Sequence, residues 1–319
     1  MKKLFKDCLF ILFVVTVLFF ISDQPSFSRT LKFVQLSDIH FSTVRDDTSY
    51  KLLSKTKPLL EDAISQINSV HGVNFVVVTG DGIDVANKQS IYGLTEILNT
   101  INYPWYYVIG NHDTTTSGYL TKSKIVEILK EQNPNYTFNS TYYTFKPKSG
   151  FRVIIMDGAK NKGISSNGII PQEELEWLDD ILKNSKNDTI LIFIHFPLLE
   201  PFDSPHHKIL NDNEFKAVLK KYDMPIAIFS GHYHMTKITK RGNILHVSTP
   251  SLVGYPNAFR IVDVKNTRKQ VVFKLEFRET GLKDLQAKTK IMTLGGARYY
   301  GKSEDRDATI IIDKKSKGI

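Results

Sequence analysis

Phe75-Val76-Val77-Val78-Thr79-Gly80-Asp81 decides how this chain folds. The run is short, β-branched or aromatic, and apolar on both faces, which is how a strand buried inside an α/β protein reads. It stops on a glycine and a carboxylate. Four more runs have the same form: Phe33-Val34-Gln35-Leu36-Ser37 into Asp38-Ile39-His40, and Tyr106-Tyr107-Val108-Ile109-Gly110 into Asn111-His112-Asp113. Ile190-Leu191-Ile192-Phe193-Ile194 runs into His195, and Ile226-Ala227-Ile228-Phe229-Ser230-Gly231 into His232-Tyr233-His234. Each run ends on a residue type that binds metal. Ligands in open α/β sheets bind at the carboxyl ends of the strands, so these ends are expected to meet at one sheet edge and form a ligand site there.

The rest of the chain is consistent with that class. Strands are predicted to end near 38, 81, 112, 157, 197 and 234, with helices near 50–70, 88–100, 121–132, 171–184 and 211–221 between them. Ile244 to Phe277 reads as consecutive strands, which fits a second sheet. No internal repeat interrupts the pattern. At 319 residues, 41% hydrophobic and 24% charged, the chain is long enough for one large catalytic domain with a sizeable core.

Singly, an Asp-x-His pair or a histidine at a strand end carries little weight. All five in this order, each behind a strand, make a specific signal. The chain resembles the calcineurin-like metallophosphoesterases, whose signature runs D-x-H, G-D, G-N-H-[DE], H, G-H-x-H. The matching residues are Asp38/His40, Gly80-Asp81, Gly110-Asn111-His112-Asp113, His195 and Gly231-His232-Tyr233-His234. Within that family it is most similar to the subgroup containing class III cyclic-nucleotide phosphodiesterases. Pro171-Gln172 leading into Glu176-Trp177-Leu178, and Thr249-Pro250-Ser251 followed by Tyr255-Pro256 and Phe259-Arg260, carry that likeness. The resemblance covers roughly residues 31 to 278 and implies a four-layer α/β/β/α sandwich of two mixed sheets, with a binuclear metal site at the strand C-terminal ends.

Phosphate ester hydrolysis explains the residue types. An anion must be attacked by a poor nucleophile and expel a poor leaving group. Two cations about 3.5–4 Å apart neutralise the phosphate oxygens and lower the pKa of a bound water, so that hydroxide exists near neutral pH. Cations that close need a shared anion, and Asp81 is the natural bridge, offering one oxygen to each. The resemblance implies that Asp38, His40 and His234 complete one site with Asp81, and Asn111, His195 and His232 the other. This nitrogen and oxygen set without sulfur suits Mn, Fe or Zn better than Mg or Ca.

The resemblance leaves His112 without a metal. It implies a place beside the substrate phosphate, protonating the leaving oxygen or stabilising charge on it, work suited to a side chain type that titrates near neutrality. Asp113 either orients that imidazole or caps the turn that follows. Gly82-Ile83-Asp84 after the Gly-Asp pair lacks the tyrosine of purple acid phosphatases and the Asp-Arg-Gly of protein Ser/Thr phosphatases, so neither subfamily is favoured. Asp84 either reaches the site behind the ligands or serves a turn or N-cap. The pair His206-His207, in a Pro-flanked loop, lines the pocket or lies on the surface.

Residues 1–28 read as a separate targeting segment. Lys2, Lys3 and Lys6 precede an apolar stretch from Leu9 to Ile21, closed by Ser22-Asp23-Gln24-Pro25. That length suits a signal-peptide core and falls short of the roughly 20 residues that span a bilayer comfortably. Ser26-Phe27-Ser28 offers small residues for cleavage after Ser28, and an uncleaved signal anchor is the alternative. Either form exports the catalytic domain, 29–280, to the periplasm, the extracellular space or the outer face of a membrane. Cys8, the single cysteine, precedes the apolar core, which argues against lipoprotein processing and leaves a cleaved chain no disulfide.

Residues 281–319 form a basic C-terminal extension to which no motif assigns a role, with a candidate edge strand at Ile310-Ile311-Ile312. The net charge of +9 lies largely in the targeting segment and after Val264. Its scattered lysines and arginines either form an ordinary solvated surface or touch anionic surfaces, and no nucleic-acid motif accompanies them. The leading expectation is an exported phosphoesterase hydrolysing phosphodiester bonds of a small substrate by attack of a metal-bound hydroxide. A phosphomonoesterase on the same site and a non-catalytic metal-binding scaffold are the alternatives. Loss of a ligand or of His112 would mark the scaffold, and neither is lost.

Overall fold

The computed structural model describes residues 28–43, 46–114, 117–161 and 165–314. The expected targeting segment, residues 1–28, therefore lies outside the described residues except for Ser28. Among the described residues no helix is long and apolar enough to cross a membrane.

Twelve strands form two six-stranded mixed sheets among these residues. β1 (Ser28–Leu36), β2 (Phe75–Thr79) and β3 (Trp105–Val108) run parallel, joined by crossovers that carry α1 (Thr56–Asn68) and α2 (Lys88–Leu98). β10 (Ala258–Thr267), β11 (Gln270–Glu279) and β12 (Ala308–Asp313) extend that sheet antiparallel from β1, in the order β12-β11-β10-β1-β2-β3. The second sheet has the order β4-β5-β6-β7-β9-β8. Its strands are β4 (Tyr143–Phe145), β5 (Phe151–Ile155), β6 (Thr189–Phe193), β7 (Ile226–Ser230), β8 (Lys237–Arg241) and β9 (Ile244–Ser248). α4 (Gln172–Lys183) and α5 (Asp212–Leu219) cross between its parallel strands, and α3 (Lys122–Gln132) precedes β4.

The sheets pack face to face through aromatic rings. Phe33 on β1 makes edge contacts with Phe193 on β6 and Phe229 on β7, with ring centroids 5.3 and 5.0 Å apart. These strands are buried on both faces because a sheet covers one side and helices the other, hence their uninterrupted apolar runs. Polar side chains also cross this interior: buried Gln35 on β1 donates to Ser230 O of β7 at 3.1 Å and accepts from Thr249 Oγ1 at 2.6 Å. It ties the sheets together directly beneath the strand ends.

Two expectations need correcting. The five motif strands do not share one sheet edge: β1, β2 and β3 belong to one sheet, β6 and β7 to the other, and their ends meet across the sandwich. Nor do the late strands form a sheet of their own. β9 joins β7 in parallel, while β10 and β11 return to β1. Alternating apolar patterns identify strands and leave open which neighbour each one finds. The candidate edge strand is present as β12, paired on β11 with Val271 opposite Ile312.

Candidate metal centre

The strands stop two to five residues before the motif residues, because the chain leaves the extended backbone there. Asp38 (φ 49°), His40 (φ 46°), Asp81 (φ 47°), His232 (φ 68°) and His234 (φ 55°) all occupy the left-handed region. Such conformations cost non-glycine residues about 1–3 kcal/mol each and persist only where the surroundings enforce them. Here Asp38 N donates to Gly80 O at 3.1 Å, His40 N to Asp81 O at 2.9 Å, and Gly231 N to His195 O at 3.0 Å. Two glycines make room: a Cβ at Gly80 would run into the His195 ring, and one at Gly110 into the Asp81 carboxylate.

Two groups of side chains result. In the first, Asp38 Oδ1 lies 3.3 Å from His234 Nε2, which lies 3.2 Å from His40 Nε2. In the second, Asp81 Oδ2 lies 3.3 Å from His195 Nε2, which lies 3.1 Å from His232 Nδ1. Each trio brings its ligand atoms within 4.8 Å of one another, and Asp38, His40, Asp81, His195 and His232 are all buried. The groups meet at Asp81, whose Oδ2 also lies 3.8 Å from His40 Nε2. Its Oδ1 accepts the His112 backbone N–H at 2.8 Å, so one oxygen faces both groups. Asn111 lies buried on the same cavity wall.

This donor set fits a pair of cations. Ligand atoms about 2.1 Å from a cation stand roughly 3 Å from one another, the spacing found here. The tautomers agree. His195 Nδ1–H donates to Thr79 O at 2.9 Å, and a carbonyl only accepts, so neutral His195 turns the lone pair of Nε2 toward Asp81. His40 Nδ1 faces Asp84 Oδ1 at 3.2 Å, the outer carboxylate that commonly orients a ligating imidazole.

The charges are strained in the way a cation would relieve. Burial would raise Asp38, but His234, by charge and hydrogen bond, and then His195 outweigh it and hold Asp38 down at about 2. Burial would lower His195, but Asp81 and Asp38 with the Thr79 carbonyl raise it to about 9, so a proton stands where a cation would. Burial and the neighbouring Lys51 push His40 down to about 3, and burial with the charge of His195 drives His232 well below its ordinary value. These two rings are held neutral, as ligation requires.

A cavity of about 340 Å³ opens above the two groups. His112 lines it beside Asp81 and His234, with its Nδ1 2.8 Å from Asp84 O. Among the described residues the Asp113 carboxylate forms no hydrogen bond with that imidazole. Its carboxylate is fully buried and accepts from Gly110 N at 2.8 Å, Ile83 N at 3.1 Å and the Tyr107 hydroxyl at 2.8 Å, locking the loop that carries Asn111 and His112. Burial and the charge of Asp81 raise it to about 7. His207 lines the cavity, 5.3 Å ring to ring from His232, whereas His206 is exposed.

Asp84 is buried and binds Lys51 Nζ at 2.7 Å as well as facing His40. Lys51, Tyr50, Phe202, Arg298 and Tyr299 also line the cavity and were not singled out in the sequence. No motif marks them. A buried lysine beside a buried carboxylate is apparent only when the loops are in place.

Two mixed sheets flanked by helices, with imidazoles and carboxylates converging at the strand ends, define a metal-dependent phosphoric ester hydrolase. Residues 31–236, about two thirds of the chain, match the family model for calcineurin-like phosphoesterase, and the chain belongs to that family. It is 22% identical over 264 residues to a manganese-dependent ADP-ribose/CDP-alcohol diphosphatase of Oryza sativa, covering 67% of this chain and 79% of the plant protein. It is 23% identical over 224 residues to a 3′,5′-cyclic-nucleotide phosphodiesterase of Nostoc sp., covering 69% and 78%. The fold superimposes on a dimetal phosphatase from Danio rerio with a TM-score of 0.63 at 18% identity, covering 77% of this chain and 95% of that one.

Proposed function

We propose that the protein is a binuclear-metal phosphodiesterase acting on small phosphodiesters. The observation that carries the reading is Asp81 Oδ2, shared between two imidazole groups at 3.3 and 3.8 Å. Asp38, His40, Asp81 and His234 would hold one cation, and Asp81, Asn111, His195 and His232 the other, with Asp81 common to both sets. When bound, two such cations neutralise the phosphate and make water a competent nucleophile near neutral pH. The relative named as manganese-dependent supports manganese as the first metal to try. Relatives named for ADP-ribose, CDP-alcohols and cyclic nucleotides support nucleotide-type phosphodiesters as substrates.

His112 handles the leaving group in this reading. Its Nδ1–H is committed to Asp84 O at 2.8 Å, so Nε2 is the atom that passes a proton to the departing oxygen. Asp113 acts on the loop rather than on that ring. Turnover of model mono- and diesters with added manganese tests the function: faster hydrolysis of diesters supports it, and activity confined to monoesters overturns it.

The protein is further proposed to be exported, on the strength of the charged start, the apolar core and Ser26-Phe27-Ser28. Recovery of the catalytic domain in an extracytoplasmic fraction, beginning at Arg29 or anchored through an intact Met1, is the expected result. A cytoplasmic domain would defeat both forms.

A further inference from the structure

The C-terminal segment forms a wall of the active-site cavity, although the family match ends at residue 236. Two short helices, α7 (Ala297–Tyr300) and α8 (Ser303–Arg306), follow α6 (Lys283–Met292). Thr236, two residues beyond His234, donates its N–H and its Oγ1 to Tyr299 O at 3.0 and 2.8 Å. Fully buried Arg260 of β10 donates to Arg306 O at 2.8 Å and to Asp305 O at 2.6 Å. Asp305 in turn receives Ile238 N at 3.2 Å and Lys237 Nζ at 3.1 Å. β12 then closes on β11. The segment is thereby fastened beside the loop carrying His232 and His234.

Its contribution to the cavity is a cation. Arg298 shares the 340 Å³ cavity with His40, Asp81, His112 and His234. Arg298 is exposed, and its guanidinium stands 4.8 Å from the centre of the exposed Phe202 ring, a contact through the face of the plane rather than through its N–H groups. Among the described residues it forms no ion pair, whereas Lys51 on the same wall is committed to Asp84 at 2.7 Å. Guanidinium groups of this kind favour planar, bidentate recognition of phosphate. The scissile phosphate belongs to the histidine and aspartate groups at the floor. Arg298 and that floor line one and the same cavity.

We propose that Arg298 determines specificity by binding a second phosphoryl group next to the one attacked, so that the preferred substrates are diphosphate-linked diesters. Water adds to one phosphorus, the bond from that phosphorus to the bridging oxygen breaks, and two phosphomonoesters leave with the proton passing to solvent. This rests on the phosphodiesterase reading. Tyr50, Phe202, Tyr233 and Tyr299 on the same walls supply apolar surface for the organic part of such a substrate.

The test compares the methyl esters of uridine 5′-monophosphate and uridine 5′-diphosphate on the manganese-loaded full chain, with bis(p-nitrophenyl) phosphate as a control. Calorimetric binding of α,β-methylene-ADP gives a readout free of turnover. Arg298→Gln is expected to raise KM for the diphosphate ester and Kd for the methylene analogue roughly 10- to 100-fold, with an effect on the monophosphate ester at least tenfold smaller. Arg298→Lys should recover part of the loss. Equal effects on both esters, unchanged binding of the analogue, or wild-type turnover of the monophosphate ester alone would overturn the proposal while the phosphodiesterase reading stood. No turnover of any of the three by wild type would overturn both.

Discussion

His40 Nδ1 lies 3.2 Å from Oδ1 of Asp84, and both side chains are buried. Asp84 thereby orients the imidazole whose other nitrogen faces Asp38, Asp81 and His234. Asp84→Asn keeps the shape but weakens that hold on the ring, and it leaves Lys51 without its counter-charge. A loss of about 10–100-fold in metal affinity or activity is expected. Titration of the purified variant with manganese measures it, and wild-type affinity would remove Asp84 from the account.

His112 separates proton chemistry from metal chemistry. His112→Asn should keep both metals yet lose about 10²–10⁴ in rate on esters with poor alkoxide leaving groups. On a nitrophenyl ester, whose leaving group departs without a proton, the loss should be much smaller. His232→Ala should depress both substrates alike, because it removes part of the donor set. Equal losses in His112→Asn, with metals retained, would assign that side chain to substrate positioning instead.

His246 on β9 predicts an acid limb of stability. Burial, with Lys216 and Arg241 nearby, lowers it from 6.5 to about 4. The unfolded chain therefore binds a proton that the folded chain refuses. Nothing is lost above pH 6.5, stability falls as pH drops from there to about 4, and the fall levels off below. The size is roughly 3 kcal/mol. His246→Gln, which does not titrate, should flatten this limb when urea midpoints at pH 7.5 and 4.5 are compared. An unchanged limb would place its origin elsewhere.

The strands and the convergence of motif residues were legible in the sequence because both follow from local pattern. A run such as Ile190 to Ile194, apolar at every position, tolerates little except a buried strand. Sheet membership was not legible: β9 and β10 read alike, yet one pairs with β7 and the other with β1. The left-handed backbone at Asp38, His40, Asp81, His232 and His234 also left no mark, because no glycine stands at these positions. Arg298 joins the cavity through Arg260 and Thr236, contacts between residues far apart in the chain. Asp113 shows the opposite case, in which a motif neighbour of His112 turns to Gly110, Ile83 and Tyr107 instead.

Asp81 belongs to both groups of donors, and elemental analysis of the purified protein after manganese loading tests most directly whether the two cation sites depend on it. Wild type is expected to hold two metals per chain. Asp81→Ala is expected to hold fewer than one, with no detectable turnover of a diester. Retention of two metals by Asp81→Ala would contradict the account, since a donor set that survives loss of Asp81 is not organised around it.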